Sequence, residues 1–120
     1  MGLSHVTTTI WNLSKQGQPF EAEFRVDTGA IDCLVPRDAL IAAGVVVERK
    51  KVYELANGEP VGYEVGFARV AFMGEEKVAQ VIFGPPNVEP MLGVVALENT
   101  GIVVDPVSNT LKRLPAMPLK

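Results

Sequence analysis

The chain has 120 residues, 48% of them hydrophobic and 21% charged, which suits one cored domain and excludes a chain disordered by composition. A formal net charge of −3 leaves no basic surface to displace counterions, so nucleic acid is set aside as a partner. The lone cysteine, Cys33, excludes an internal disulfide, and the lone histidine, His5, is a poor centre for a zinc site or a Ser-His-Asp triad.

Residues 7–13 are rich in β-branched side chains, which fit a pleated surface, and predict a strand. Ser14-Lys15-Gln16-Gly17-Gln18-Pro19 is a turn, after which 20–26 places Phe20, Ala22, Phe24 and Val26 on one face. A period of two marks a half-buried strand, so the two runs form a hairpin that delivers Asp27 at its end. Pro36 opens a short helix over 37–43, and Gly44 stands where a left-handed residue closes one. Val45-Val46-Val47 reads as a further strand. A second hairpin runs from 52–56 to Val61 and beyond, turning at Asn57-Gly58, a pair that accepts positive φ. A third joins 68–72 to 78–83 through Met73-Gly74-Glu75-Glu76-Lys77 and stops at Gly84-Pro85-Pro86. A second short helix over 95–99 ends at Gly101 and feeds a last strand, 102–105. Residues 1–113 are expected to form the domain, and 114–120, with Pro115 and Pro118, a poorly ordered tail.

Residues 38–47 align without gaps on 95–104: Ala39, Leu40, Gly44, Val46 and Val47 recur as Ala96, Leu97, Gly101, Val103 and Val104. Two readings stay open, a generic helix-glycine-strand pattern or an internal duplication. Under duplication Gly84 stands opposite Asp27, and one chain carries one carboxylate.

The run Val26-Asp27-Thr28-Gly29-Ala30 carries the chemistry. A carboxylate at the end of an apolar strand is costly unless it is hydrogen-bonded or shares a proton. Thr28 supplies a hydroxyl, and Gly29 lets backbone approach closely. Elsewhere the reading is plain: 48–51 is a solvated charged face, Glu75-Glu76 an exposed turn, Cys33 an inert buried thiol, and Trp11 a core or interface residue.

These residues resemble the retroviral-type aspartic peptidases, the retropepsins, and their bacterial relatives. The resemblance spans roughly 20–105. It rests on Phe24-Arg25-Val26-Asp27-Thr28-Gly29-Ala30, the hairpin at Asn57-Gly58, Val81-Ile82-Phe83-Gly84-Pro85, and Met91-Leu92-Gly93 before a short helix. It implies a mainly β fold, the retropepsin-like acid protease barrel with short helices, one lobe per chain. It further implies a homodimer in which the Asp27 side chains of two subunits meet on the two-fold axis and hold one proton between them. An endopeptidase results, acting on extended polypeptide through an activated water, with no metal, cofactor or covalent intermediate. Asp27, Thr28 and Gly29 are the implied catalytic set, Thr28 bonding across the dimer and Gly29 accepting from substrate backbone. Residues 53–63 become a flap over the substrate. Ala30, Ile31, Asp32, Asn57, Gly58, Phe83 and Leu92, with Val35 and Val88, become its contacts and pocket walls.

The sequence departs from the pattern in three places, one being the chain ends, which do not match the family's interleaved terminal strands at the dimer interface. Ile31 and Val94 stand where many retroviral members pair an acid with an arginine, and Glu59-Pro60 replaces a run of flap glycines. These motivate an alternative, a weak or inactive protease-fold dimer that binds peptides as a scaffold. A third reading, an unrelated β module with Asp27 as an ordinary loop carboxylate, is also open.

No charged segment followed by an apolar core and small-residue cleavage site opens the chain, and Val6 replaces the Ser or Thr of a myristoylation signal after Met1-Gly2. The most apolar stretch, 33–47, is broken by Pro36, Arg37 and Asp38. The expectation is a soluble cytoplasmic protein in a reducing compartment, without a membrane partner.

Overall fold

A computed structural model describes residues 5–105, 107–108 and 110–116. Strands β1 (His5–Trp11) and β2 (Phe20–Val26) form the first hairpin, followed by β3 (Cys33–Pro36) and helix α1 (Arg37–Ala42). Then come β4 (Arg49–Glu54), β5 (Pro60–Phe72), β6 (Glu75–Gly84), β7 (Met91–Leu92), α2 (Val94–Leu97), β8 (Ile102–Asp105) and β9 (Thr110–Arg113). The chain is mainly β with short helices, as expected. No helix among the described residues is long and apolar enough to cross a membrane.

Seven strands share one mixed sheet in the order β1-β2-β7-β3-β6-β5-β4. Because β1 also pairs with β5, from Thr8 against Phe72 to Trp11 against Arg69, the hydrogen bonding closes into a ring. β4 lies outside that ring as an edge strand, and β8 and β9 form a separate pair. The period-two face of β2 turns Phe24 and Val26 into the ring's interior, where they meet Ile10, Val35, Leu40, Val70, Val81, Leu92 and Ile102. With few aromatics, such aliphatics fill most of this core, each contributing about 1.5–3 kcal/mol by leaving water.

The internal repeat extends to the hydrogen bonding. β2 pairs parallel with β7, Arg25 against Met91 and Val26 against Leu92. The register that lays Asp38 on Val95 carries those pairs onto Ile82 with Leu34 and Phe83 with Val35, which are matched in the parallel β3–β6 pair. Gly44 follows α1 with φ +82, whereas α2 ends at Leu97 and not beside the expected Gly101: Asn99 (φ 63) is left-handed before Gly101 (φ 78) is reached. Each copy lends its short strand to the other copy's long one.

Four expectations need correction. Val45-Val46-Val47 is not a strand: the Val46 carbonyl lies over Gly66, where a Cβ would stand 2.2 Å away, so the segment crosses β5 instead of running beside it. Pairing starts at Glu48, whose amide donates to the Val65 carbonyl (2.8 Å). The turn geometries are exchanged. Met73 (φ 51) and Gly74 (φ 78) form the tight two-residue turn, with Phe72 against Glu75. Asn57-Gly58 belongs instead to a loop over 55–59 in which only Gly58 is left-handed (φ +86) and the Gly58 amide donates to the Leu55 carbonyl (2.8 Å). Glu75 and Glu76 are strand residues in β6, with Glu75 bonded to Arg113 (2.6 Å). The second hairpin's first strand, β4, starts at Arg49 and not at Val52, while Glu48, Arg49 and Lys50 stay exposed as expected. Of the expected tail, Leu114 donates to the Gly101 carbonyl (2.7 Å), while 117–120 and Met1-Gly2 lie outside the described residues.

Candidate active site

Asp27 stands one residue beyond β2, where the parallel pairing with β7 continues: its amide donates to the Leu92 carbonyl (3.1 Å). The chain then turns back, the Ala30 amide reaching the Asp27 carbonyl (3.1 Å) and the Gly29 amide reaching Asp27 Oδ1 (2.9 Å). The carboxylate is thereby held by its own loop. Gly29 serves by its lack of a side chain, since a Cβ there would stand 3.2 Å from Asp27 Oδ1. Asp27 is half-buried, and Thr28 and Gly29 are exposed.

Helix α2 fixes the rest of the loop. Its first amides, orphaned in any helix, find partners here: Val94 donates to the Ala30 carbonyl (2.9 Å) and Val95 to the Ile31 carbonyl (3.0 Å). Gly93 makes that approach possible, because a Cβ would stand 2.5 Å from the Asp32 carbonyl oxygen. The two segments singled out in the sequence, 26–30 and 91–93 with the following helix, are thus joined by main-chain hydrogen bonds into one unit.

Beyond Ala30 the expected contacts part ways. Ile31 is 70% exposed beside the Asp27 loop. Asp32 is buried, and its Oδ2 accepts from Tyr53 Oη (2.8 Å) and Gln80 Nε2 (2.9 Å), with Lys51 Nζ at 3.9 Å. Asp32 is therefore bonded internally, and Asp27 is the half-exposed carboxylate of the loop. Leu92 and Val35 are fully buried core residues; what Leu92 gives the site is its main-chain oxygen. Asn57 and Gly58 sit at the exposed tip of the β4–β5 hairpin.

Phe83 is nearly buried and borders an apolar cleft of about 600 Å³ walled by Ile41, Tyr63, Pro85 and Pro86, with Arg37 and Asp38 also lining it. That cleft gathers around Gly84, the counterpart of Asp27 in the second copy, and not around Asp27. Arg37 Nε also donates to Glu64 Oε1 (2.8 Å), tying α1 to β5.

The partners of Asp32 were missed from sequence. The signal available was the alternation Arg49, Lys51, Tyr53, which puts three donors on one face of a strand. Burial pushes the Tyr53 phenol well above its ordinary value, reinforced by its bond to Asp32. Burial likewise pushes the Cys33 thiol up to about 11, against the lowering effect of a bond from the Gly93 backbone, with the Asp32 charge adding to the rise. Such a thiol is a poor nucleophile, in line with the expected inert cysteine. Among the described residues, no three His, Cys, Asp or Glu side chains converge to hold a metal ion.

No family model matches this sequence, and comparison with curated proteins returns no significant match.

Proposed function

We propose that this chain is an aspartic endopeptidase of the retropepsin-like kind, its ring of strands serving as one barrel lobe of a homodimer. The observation that carries the reading is the Asp27 loop, held by a main-chain bond to the Leu92 carbonyl and by bonds from the Val94 and Val95 amides, with its carboxylate half-exposed at a strand end. A loop so braced can keep a carboxylate in place while its partner loop, from a second copy, approaches across the exposed Thr28 and Gly29. Two carboxylates brought together cannot both ionise. One keeps a proton and acts as acid toward the leaving amine, and the other is the base for the attacking water. The β4–β5 hairpin would cover an extended peptide.

The test is cleavage of a diverse peptide library by wild type and Asp27→Asn, with and without an aspartic-class transition-state mimic. Wild-type cleavage that the variant loses, that the mimic blocks and that falls on dilution is the expected result. Full activity in Asp27→Asn, or no cleavage from acid to neutral pH, refutes it.

A second reading, a peptide-binding dimer without hydrolysis, is favoured by the exposed Ile31 where a charged brace would stand and by Pro60, which opens β5 without an N–H. Binding of extended peptides without cleavage would select it.

A further inference from the structure

The β4–β5 hairpin has two parts. Below Tyr53, β4 is tied to the body of the molecule. Arg49 Nη2 donates to Gln80 Oε1 (3.3 Å), which orients that amide so that its Nε2 donates to Asp32 Oδ2 (2.9 Å). Lys51 lies 3.9 Å from the same oxygen, and Tyr53 Oη donates to it at 2.8 Å. Among the described residues, every side-chain hydrogen bond and ion pair that β4 makes outside its own hairpin ends on Asp32 or Gln80. Above Tyr53 the bonds turn inward: Leu55 donates to the Glu59 carbonyl (2.8 Å), Gly58 to the Leu55 carbonyl (2.8 Å), and Asn57 Nδ2 to Glu59 Oε1 (2.8 Å).

The other end of the tie is rigid. Asp32 is buried, its main chain rests against Gly93, and the next residue, Cys33, pairs with Val81 inside the ring. Two residues before it, the Ala30 carbonyl is bonded to α2. The group that receives the hairpin thus belongs to the segment that carries Asp27. As an edge strand, β4 has no second neighbour to steady it.

We propose that Asp32 is a positioning residue for the Asp27 site: its carboxylate latches the base of the hairpin at Tyr53, so that access to the site is governed by residues 54–60 and not by the whole hairpin. The proposal rests on reading this hairpin as the cover of a peptide site. It assigns Asp32 a role other than the expected pocket wall, because its Oδ2 is already shared among three groups.

Backbone hydrogen exchange on the free protein tests it, comparing wild type with Tyr53→Phe, which removes one hydroxyl, and with Asp32→Asn, which keeps the shape and loses the charge. Loss of a hydrogen bond to a charged group should speed exchange across 49–54 and 60–65 by about tenfold in Tyr53→Phe, with amides of β1 and β2 unchanged. Asp32→Asn should accelerate the same amides. Exchange unchanged over 49–65, or accelerated evenly along the chain, overturns the latch. In the cleavage assay Tyr53→Phe should raise KM about tenfold and leave kcat within about twofold, whereas a fall in kcat at constant KM overturns it. Exchange is read without substrate, so the two proposals fail separately. A wild type that cleaves nothing removes the peptidase and leaves the latch to the exchange data; cleavage with unaltered exchange removes the latch alone.

Discussion

Replacing Gly93 by alanine would set a methyl carbon 2.5 Å from the Asp32 carbonyl oxygen and 2.6 Å from that of Ile31. Both are main-chain atoms in a pinned segment, so neither can swing aside as a side-chain end would. The obstacle is space and not backbone conformation, because Gly93 has φ −86, which alanine adopts freely. Overpacking of this kind costs about 1–3 kcal/mol. Relief requires the Asp27 loop to back away from α2, which breaks or lengthens the bonds from Val94 and Val95, each contributing about 1 kcal/mol. The expected loss is about 3–5 kcal/mol, a large share of the roughly 5–15 kcal/mol available to a domain. Urea unfolding followed through Trp11 fluorescence measures it, with Gly62→Ala as the control, where nothing lies within 4 Å of a new Cβ. The control should shift stability by less than about 1 kcal/mol. A Gly93→Ala midpoint equal to wild type, at unchanged slope, would refute the claim that the loop rests on this glycine.

Cys33 should resist thiol reagents at pH 8 in the folded protein and react at once in denaturant, as a timed labelling assay will show. Because burial raises its pKa from 9.0 to about 11, its contribution to stability is complete below pH 9 and fades as pH climbs through about 11. Tyr53 should ionise above the ordinary phenol value in an ultraviolet titration, its contribution identified by comparison with Tyr53→Phe. Its folded value is likewise raised above the ordinary 10.0, so the stability it lends is full below that pH and is lost above it; a Tyr53 phenol ionising at the ordinary value would contradict this.

The legible parts of the sequence were those whose signal is local. The alternation Phe20, Ala22, Phe24, Val26 marked β2 to the residue, because a period of two facing a core needs no knowledge of the partner. Gly44 marked the end of α1 through its left-handed backbone, whereas α2 stops at Leu97, short of the expected Gly101, with Asn99 (φ 63) as the first left-handed residue after it. β3 and β7 were not legible, since strands of four and two residues are held by distant neighbours, β6 and β2 in parallel and each other at Leu34 and Met91. The repeat makes the same point: Ile102–Asp105 is a strand beside β9, while its counterpart from Val45 has no partner to run beside and is not. At the site, both Asp27-Thr28-Gly29 and Met91-Leu92-Gly93 were legible as motifs, while the main-chain bonds that join them are seen only in the fold. The burial of Asp32 was not legible, because its partners Tyr53 and Gln80 are brought to it only by the closure of the ring.

That exchange of short strands between the two copies bears on how the chain reaches its fold. A nascent first half can close the β1–β2 hairpin, but β3 then waits for β6, and β2 for β7. The local hairpins β1–β2, β4–β5 and β5–β6 need no distant partner, but closing the ring through β2–β7 and β3–β6 joins segments far apart along the chain. Such topologies pay their loop entropy first and fold in milliseconds to seconds, slower than helical chains of equal length.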